Sequence, residues 1–175
     1  MADRIIRPAT AEDLPGMAAL KSEYVHRLYG CLLPEALMAA ADEKHFLPEL
    51  RLCLVSPGMR MDVLELDGNL TGFVVYGADP NEDGYGLIHE TCVELSSELS
   101  ERDALVVHTV EHLAEMGYLR VHMWLLRDNF RVRFLVEQFG FKPDGVRRTV
   151  EREGQELVVT RYLYRAPGAL PLDPA

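Results

Sequence analysis

Glu90 and Cys92 stand two residues apart in Leu87-Ile-His-Glu-Thr-Cys-Val-Glu-Leu95, a stretch with no Gly or Pro. In an extended chain that spacing puts Glu90, Cys92 and Glu94 on one face and His89, Thr91 and Val93 on the other. A partly buried carboxylate has a raised pKa and can take a proton from a bound ammonium, directly or through water. A half-exposed strand glutamate with no chemistry fits the same pattern. Cys92 is a nucleophile by type, although a buried Cys usually only packs.

A second group of polar residues opens a helix at Leu99-Ser-Glu-Arg-Asp-Ala104. A helix N-terminus offers free N–H groups and the positive end of a dipole, and so suits an anion. Ser100-x-x-Asp103 is, however, a capping box that satisfies those donors itself. Glu101 and Asp103 add first-turn carboxylates, each worth about 0.3–1 kcal/mol to the helix and each opposed to a bound phosphate. Arg102 could answer them with a fork of donors to phosphate oxygens. Further along, Asp128 or Asn129 can cap the next helix.

His108-Thr-Val-Glu111-His112 is a literal H-x-x-E-H, an inverted zincin pattern. The apolar stripe Val106, Val110, Leu113 and Gly117 predicts that both histidines face solvent. No third ligand is signposted, so no metal site is expected. Arg147, Arg148 and Arg152 read as an exposed hairpin face, with cofactor phosphate contact as the other use.

These side chains need a scaffold, and its elements are legible. Leu119 to Leu126 is an apolar run that reads as a buried strand. A short helix follows, with Phe130, Phe134, Leu135 and Phe139 as its expected apolar face. Gly140 should end it in a left-handed cap before Phe141. Asp67-Gly68-Asn69 between Met61–Leu66 and Leu70–Tyr76 is a hairpin signal. Upstream, Arg4–Arg7 reads as a strand and Thr10-Ala-Glu-Asp13 as a helix start for the stripe Leu14, Met17, Leu20 and Tyr24. Glu35–Phe46 reads as helix with Pro48 interrupting it; Leu50–Val55 fits helix or strand. Leu87–Leu95 reads as a strand and Ser100–Met116 as a helix. Val146–Arg152 and Glu156–Tyr164 form a last hairpin.

The 175 residues and 19.8 kDa suit one domain over 1–165, with 166–175 expected as a poorly ordered tail. A net charge of −10 supplies no basic excess for a nucleic-acid backbone and suits a cationic partner. Cys31, Cys53 and Cys92 form neither pairs nor a zinc-ligand spacing. No signal peptide or bilayer-spanning stretch is evident, so a cytoplasmic location and no membrane partner are expected.

Asn129-Phe-Arg-Val-Arg-Phe-Leu-Val-Glu-Gln-Phe-Gly-Phe141 resembles the late motif of the GNAT superfamily of acyl-CoA-dependent N-acyltransferases, where "A-x-x-L-Y-E-K-x-G-F" follows an Asn. Asn129, Val132, Leu135, Glu137, Gln138, Gly140 and Phe141 match, and the family's Tyr falls on Val136. The opening Ile6-Arg-Pro-Ala and Asp13 are also similar to that family's start. The resemblance implies a mixed, mostly antiparallel sheet of six or seven strands with helices on both faces. It implies acetyl-CoA as donor and a primary amine on a small molecule or protein as acceptor, with pairing of two copies common. It further implies that Glu90 is the base, that the Cys92-Val93 backbone and Asn129 hold the pantetheine arm, and that Ser100, Arg102, Asp103 and Ala104 meet the pyrophosphate. Both glycines of the family's phosphate loop are replaced here. In place of the family Tyr, Tyr118, Tyr162 or Tyr164 could protonate the leaving thiolate. A non-catalytic member that binds another ligand or a protein partner is the rival. The resemblance also requires two neighbouring strands to splay apart near Cys92 and Asn129.

Overall fold

Asp67 and Gly68 both take positive φ, 49° and 79°, and fold the chain back between β2 (Met59–Leu66) and β3 (Asn69–Ala78). That left-handed pair matches the right-handed twist of the strands it joins. The computed structural model describes residues 3–94 and 99–169. Around the hairpin, β1 (Arg4–Pro8), β4 (Tyr85–Val93), β5 (Arg120–Leu126), β6 (Lys142–Arg152) and β7 (Gln155–Arg165) complete a seven-stranded sheet of order β1-β2-β3-β4-β5-β7-β6. Among the described strands only β4 and β5 pair in parallel, because the crossover helix α4 (Leu99–Glu115) lies between them. The expected mixed, mostly antiparallel sheet is what the chain forms.

Alternation along β3 builds two cores. Phe73 and Val75 join Met61 and Val63 under α1 (Leu14–Tyr29) and α3 (Glu43–Val55). Val74 and Tyr76 join Leu64 under α4 and α5 (Phe130–Gln138). A short α2 (Glu35–Ala40) precedes α3. Asp42 separates the two, its carboxylate accepting from His45 N–H at 2.8 Å. The break therefore falls at the Asp42 cap, and α3 runs on past Pro48, which loses only its bond to the Lys44 carbonyl. Leu50–Val55 is helix.

Two helix faces differ from the expected ones. In α5 the buried residues are Val132 and Val136, while Phe130 and Phe134 are 65% and 62% exposed. The Asn129 side chain, itself buried, accepts from Val132 N–H at 3.2 Å and fixes the phase of the helix. Two small β-branched residues then meet the sheet where phenylalanines would hold the helix off. In α4 the expected Val106, Val110 and Leu113 do pack on the core, but the most deeply buried line is Leu105, Thr109 and Leu113, so the face is turned slightly from the expected one. Thr109 enters the core because its hydroxyl donates to the Leu105 carbonyl at 2.7 Å. That rotation brings His108 and His112 to the edge of the interface instead of solvent.

Gly77 makes the tightest backbone approach in the sheet. A Cβ there would stand 2.1 Å from the Gly58 carbonyl oxygen, so neither backbone can give way cheaply. Gly77→Ala is expected to destabilise the fold by about 1–3 kcal/mol, the usual cost of overpacking. Thermal unfolding measures this, with Gly58→Ala as a poor comparison because φ there is 80°; Gly16→Ala, which meets a side chain at 3.7 Å, is the suitable one.

At the C-terminal side Ala166 is buried and its N–H donates to the Leu119 carbonyl at 2.8 Å. Leu95 and the last residues of the expected tail, 170–175, lie outside the described residues. Among the described residues no helix is long and apolar enough to cross a membrane.

Candidate active site

Pairing between β4 and β5 covers Tyr85↔Arg120 to Ile88↔Met123 and then stops. Both strands continue, β4 to Val93 and β5 to Leu126. The cause lies one strand away. Between β3 and β4 the register jumps from Val75↔Glu90 to Tyr76↔Ile88, leaving His89 as an extra residue. Such a bulge bends its strand and increases local twist. It also reverses the phase of β4: Ile88 packs toward α4, whereas Cys92 packs toward α1 and α3 and Val93 toward α4. The wedge expected near Cys92 and Asn129 is open, and a cavity of about 820 Å³ runs through it.

Glu90 sits on the α1 side of that cavity. Lys21 Nζ donates to Glu90 Oε2 at 3.0 Å and to Glu49 Oε2 at 3.2 Å, and lies 4.4 Å above the Phe46 ring. Cys92 Sγ donates weakly to Glu90 Oε1 at 3.7 Å. Burial pushes the Glu90 carboxyl above its ordinary range, and the Lys21 ammonium pulls against it. Burial lowers Lys21 too, but Glu90 and Glu49 outweigh it and leave the ammonium above the ordinary lysine value. The buried Cys92 thiol, next to Glu90, is pushed well up and stays protonated. Its side chain is thus a packing group and a donor, not a nucleophile. Lys21 escaped the sequence reading, yet a signal existed: Met17, Lys21, Tyr24 and Leu28 share one helix face, and a single cation interrupts it.

Asn129 lies where β5 ends. It is 2% exposed, and among the described residues its Nδ2 has no acceptor in hydrogen-bonding geometry. A buried amide without a partner costs free energy unless a ligand or water supplies one. Tyr29, at the end of α1, approaches the Asn129 carboxamide, and burial pushes its hydroxyl up to about 12. Val136 lines the same cavity. Tyr118, Tyr162 and Tyr164 do not: Tyr118 and Tyr164 pack against the α4-side core and Tyr162 is within it. The tyrosines that reach the cavity are Tyr24 and Tyr29, which no motif marked.

The phosphate-loop residues divide. Arg102 lines the cavity from the first turn of α4, while Asp103 is exposed and Ala104 is half-buried away from the lining. Helix α4 already includes Leu99, so Ser100 is within its first turn and not its cap; the Ser100 side chain lies outside the described residues. Of the arginine cluster, Arg148 stacks on Trp124 at 4.0 Å and Arg152 lines the cavity.

No family model and no curated protein matches the sequence. Solved structures do match its shape. PaiA N-acetyltransferase from Thermoplasma acidophilum, solved in complex with coenzyme A, superposes with a TM-score of 0.69 at 14% identity, over 93% of this chain and 99% of that one. A GCN5-related N-acetyltransferase from Rhodopseudomonas palustris gives 0.69 at 20% identity, covering 94% and 97%. The ribosomal-protein-alanine N-acetyltransferase from Brucella melitensis gives 0.65 at 18%, covering 92% and 99%. Identities this low speak to architecture. With its seven-stranded mixed sheet parting between the two parallel strands, the chain has the GNAT-type acyl-CoA N-acyltransferase fold.

Proposed function

We propose that this chain transfers the acetyl group of acetyl-CoA to a primary amine of a small molecule or a protein. One observation carries the reading: β4 and β5 cease to pair after Ile88 and Met123 although both run on. Strand edges freed in this way, flanked by buried Asn129, whose Nδ2 has no acceptor in hydrogen-bonding geometry among the described residues, suit an extended amide-bearing arm. The donor supplies an activated thioester carbonyl. Within the chain, the Cys92-Val93 backbone and Asn129 would align the arm, and Arg102 would meet the pyrophosphate as the cation on the first turn of α4. Ser100, Asp103 and Ala104 complete that turn.

Glu90 takes the proton from the acceptor ammonium. Burial makes it a better base than a surface carboxylate, and the Lys21 ammonium acts in the opposite sense by favouring its ionised form. Glu49 and Glu153 also line the cavity on the acceptor side and favour a cationic acceptor. Tyr29 takes the place left by Val136. Its hydroxyl at about 12 lies above a thiol's ordinary value of about 8.5, so it stabilises the departing thiolate by a hydrogen bond and not by full transfer. Tyr29→Phe is expected to lower kcat by about tenfold to a hundredfold, the worth of one hydrogen bond to a charged group. Steady-state kinetics with KM measured alongside checks this; an unchanged kcat removes Tyr29 from the mechanism.

A non-catalytic binding protein is the second reading, favoured by Val136 and by the Glu101 carboxylate in the first turn of α4. Calorimetry with acetyl-CoA, followed by mass spectrometry of a panel of amines, separates the two. Binding with transfer supports the enzyme. Binding without transfer to any amine supports the second reading, and no heat at millimolar acetyl-CoA overturns both the donor and the arm site.

A further inference from the structure

We infer that Asp62, His108 and His112 form a binding site for a divalent transition-metal ion that ties α4 to the central strands. Asp62 projects from β2 toward α4 and its side chain is 6% exposed. His108 and His112, one helical turn apart, hang over it from α4. His108 Nε2 is 2.9 Å from Asp62 Oδ2. The Tyr76 hydroxyl donates to the same oxygen at 2.6 Å and is 2.5 Å from His112 Nδ1. A phenol has one proton, so with that proton on Asp62 it is His112 Nδ1 that donates to the phenol oxygen. One ligand atom from each of Asp62, His108 and His112 lies within 4.8 Å of the others.

Bonds of about 2.0–2.1 Å in a tetrahedral site place neighbouring ligand atoms about 3.3 Å apart. The three groups therefore reach a shared ion through side-chain adjustment alone. Two imidazoles and one carboxylate suit zinc, iron(II) or cobalt(II), whereas calcium and magnesium call for an all-oxygen shell. Tyr76 is placed to give the fourth oxygen or to orient Asp62. His108, 35% exposed, leaves a route from solvent. Two consequences of helix phase matter here. The rotation about Leu105, Thr109 and Leu113 supplies the third ligand that the sequence motif lacked. It also turns Glu111 toward Phe139 and Tyr164, away from the site, so the H-x-x-E-H carboxylate is no base for this ion. The site is thus a structural clamp. None of Asp62, Tyr76, His108 and His112 lines the cavity through the wedge, so its fate is independent of the acyl-transfer reading.

The test is a titration of the untagged, full-length chain with Co²⁺, followed by Zn²⁺ competition. The expected result is one ion per chain, with visible d–d bands and no sulfur charge-transfer band. His108→Gln and His112→Gln, both at the helix edge, should each weaken binding at least tenfold, and Cys31→Ser should leave it intact. At Zn²⁺ a hundredfold above Kd, Tm should rise by roughly 5–10 °C. The inference is overturned by no binding at micromolar ion. It is equally overturned by affinity unchanged in both histidine variants, or by a thiolate band lost in Cys31→Ser. Acetyl-CoA binding in the same variants serves as the separate readout of the wedge.

Discussion

Glu90→Gln lowers kcat/KM by about 10²–10⁴, the usual range for loss of a positioned base. The substitution keeps shape and volume, removes the charge and the proton acceptor, and leaves one amide oxygen to accept from Lys21. Lys21 still has Glu49 at 3.2 Å, so no buried cation is orphaned and the fold should hold. The pH profile distinguishes a base from a structural carboxylate. A base must be ionised, and burial raises the Glu90 pKa, so wild-type kcat/KM falls as pH drops through a value above the ordinary carboxylate range. In the glutamine variant that acidic limb disappears along with the rate. A variant within threefold of wild type, with the limb intact, would exclude Glu90 as the base. Lys21→Met is the harsher change, because it leaves a buried carboxylate without its main partner.

Phe141→Ala is expected to cost about 3–5 kcal/mol, the range for deleting a buried aromatic side chain. Phe141 is fully buried and packs against Tyr164 with ring centroids 5.4 Å apart. It also closes α5: Gly140, at φ 88°, donates to the Glu137 carbonyl at 3.1 Å, and Phe141 N–H reaches back to Val136 at 3.2 Å. That left-handed cap places the Phe141 ring beneath the helix it ends. Thermal unfolding should show a Tm lower by roughly 6–20 °C for a chain of this length. Phe130→Ala and Phe134→Ala provide the internal comparison. Both are exposed phenylalanines on the same helix, and each should shift stability by no more than about 0.5 kcal/mol. A Phe141→Ala loss no larger than theirs would remove Phe141 from the core.

Much of the scaffold could be read residue by residue. The Asp67-Gly68 turn, the Gly140-Phe141 helix end, the Asn129 cap and the apolar β5 run each depend on neighbours a few positions away. The alternation placing Glu90 and Cys92 together also held, since the bulge falls just before them at His89. Helix phase was less legible. Phe130 and Phe134 are the most apolar residues of α5, but hydrophobicity does not say which face a capped helix presents to the sheet. Thr109, polar by type, stands in the core because its hydroxyl is satisfied within its own helix.

By itself the sequence determined most of the strands and turns, the Asn129 cap and the placing of Glu90 beside Cys92 on one strand face, because these follow from local backbone preferences and from spacing of two or 3.6 residues. Only the tertiary structure decided that β4 and β5 part after Ile88 and Met123, and that Lys21 and Tyr29 enter the resulting cavity. It alone also brought Asp62 beneath His108 and His112. The physical reason is common to all three. Each depends on the register and rotation of elements far apart in the chain, which are set by packing across the sheet and not by neighbours along the chain.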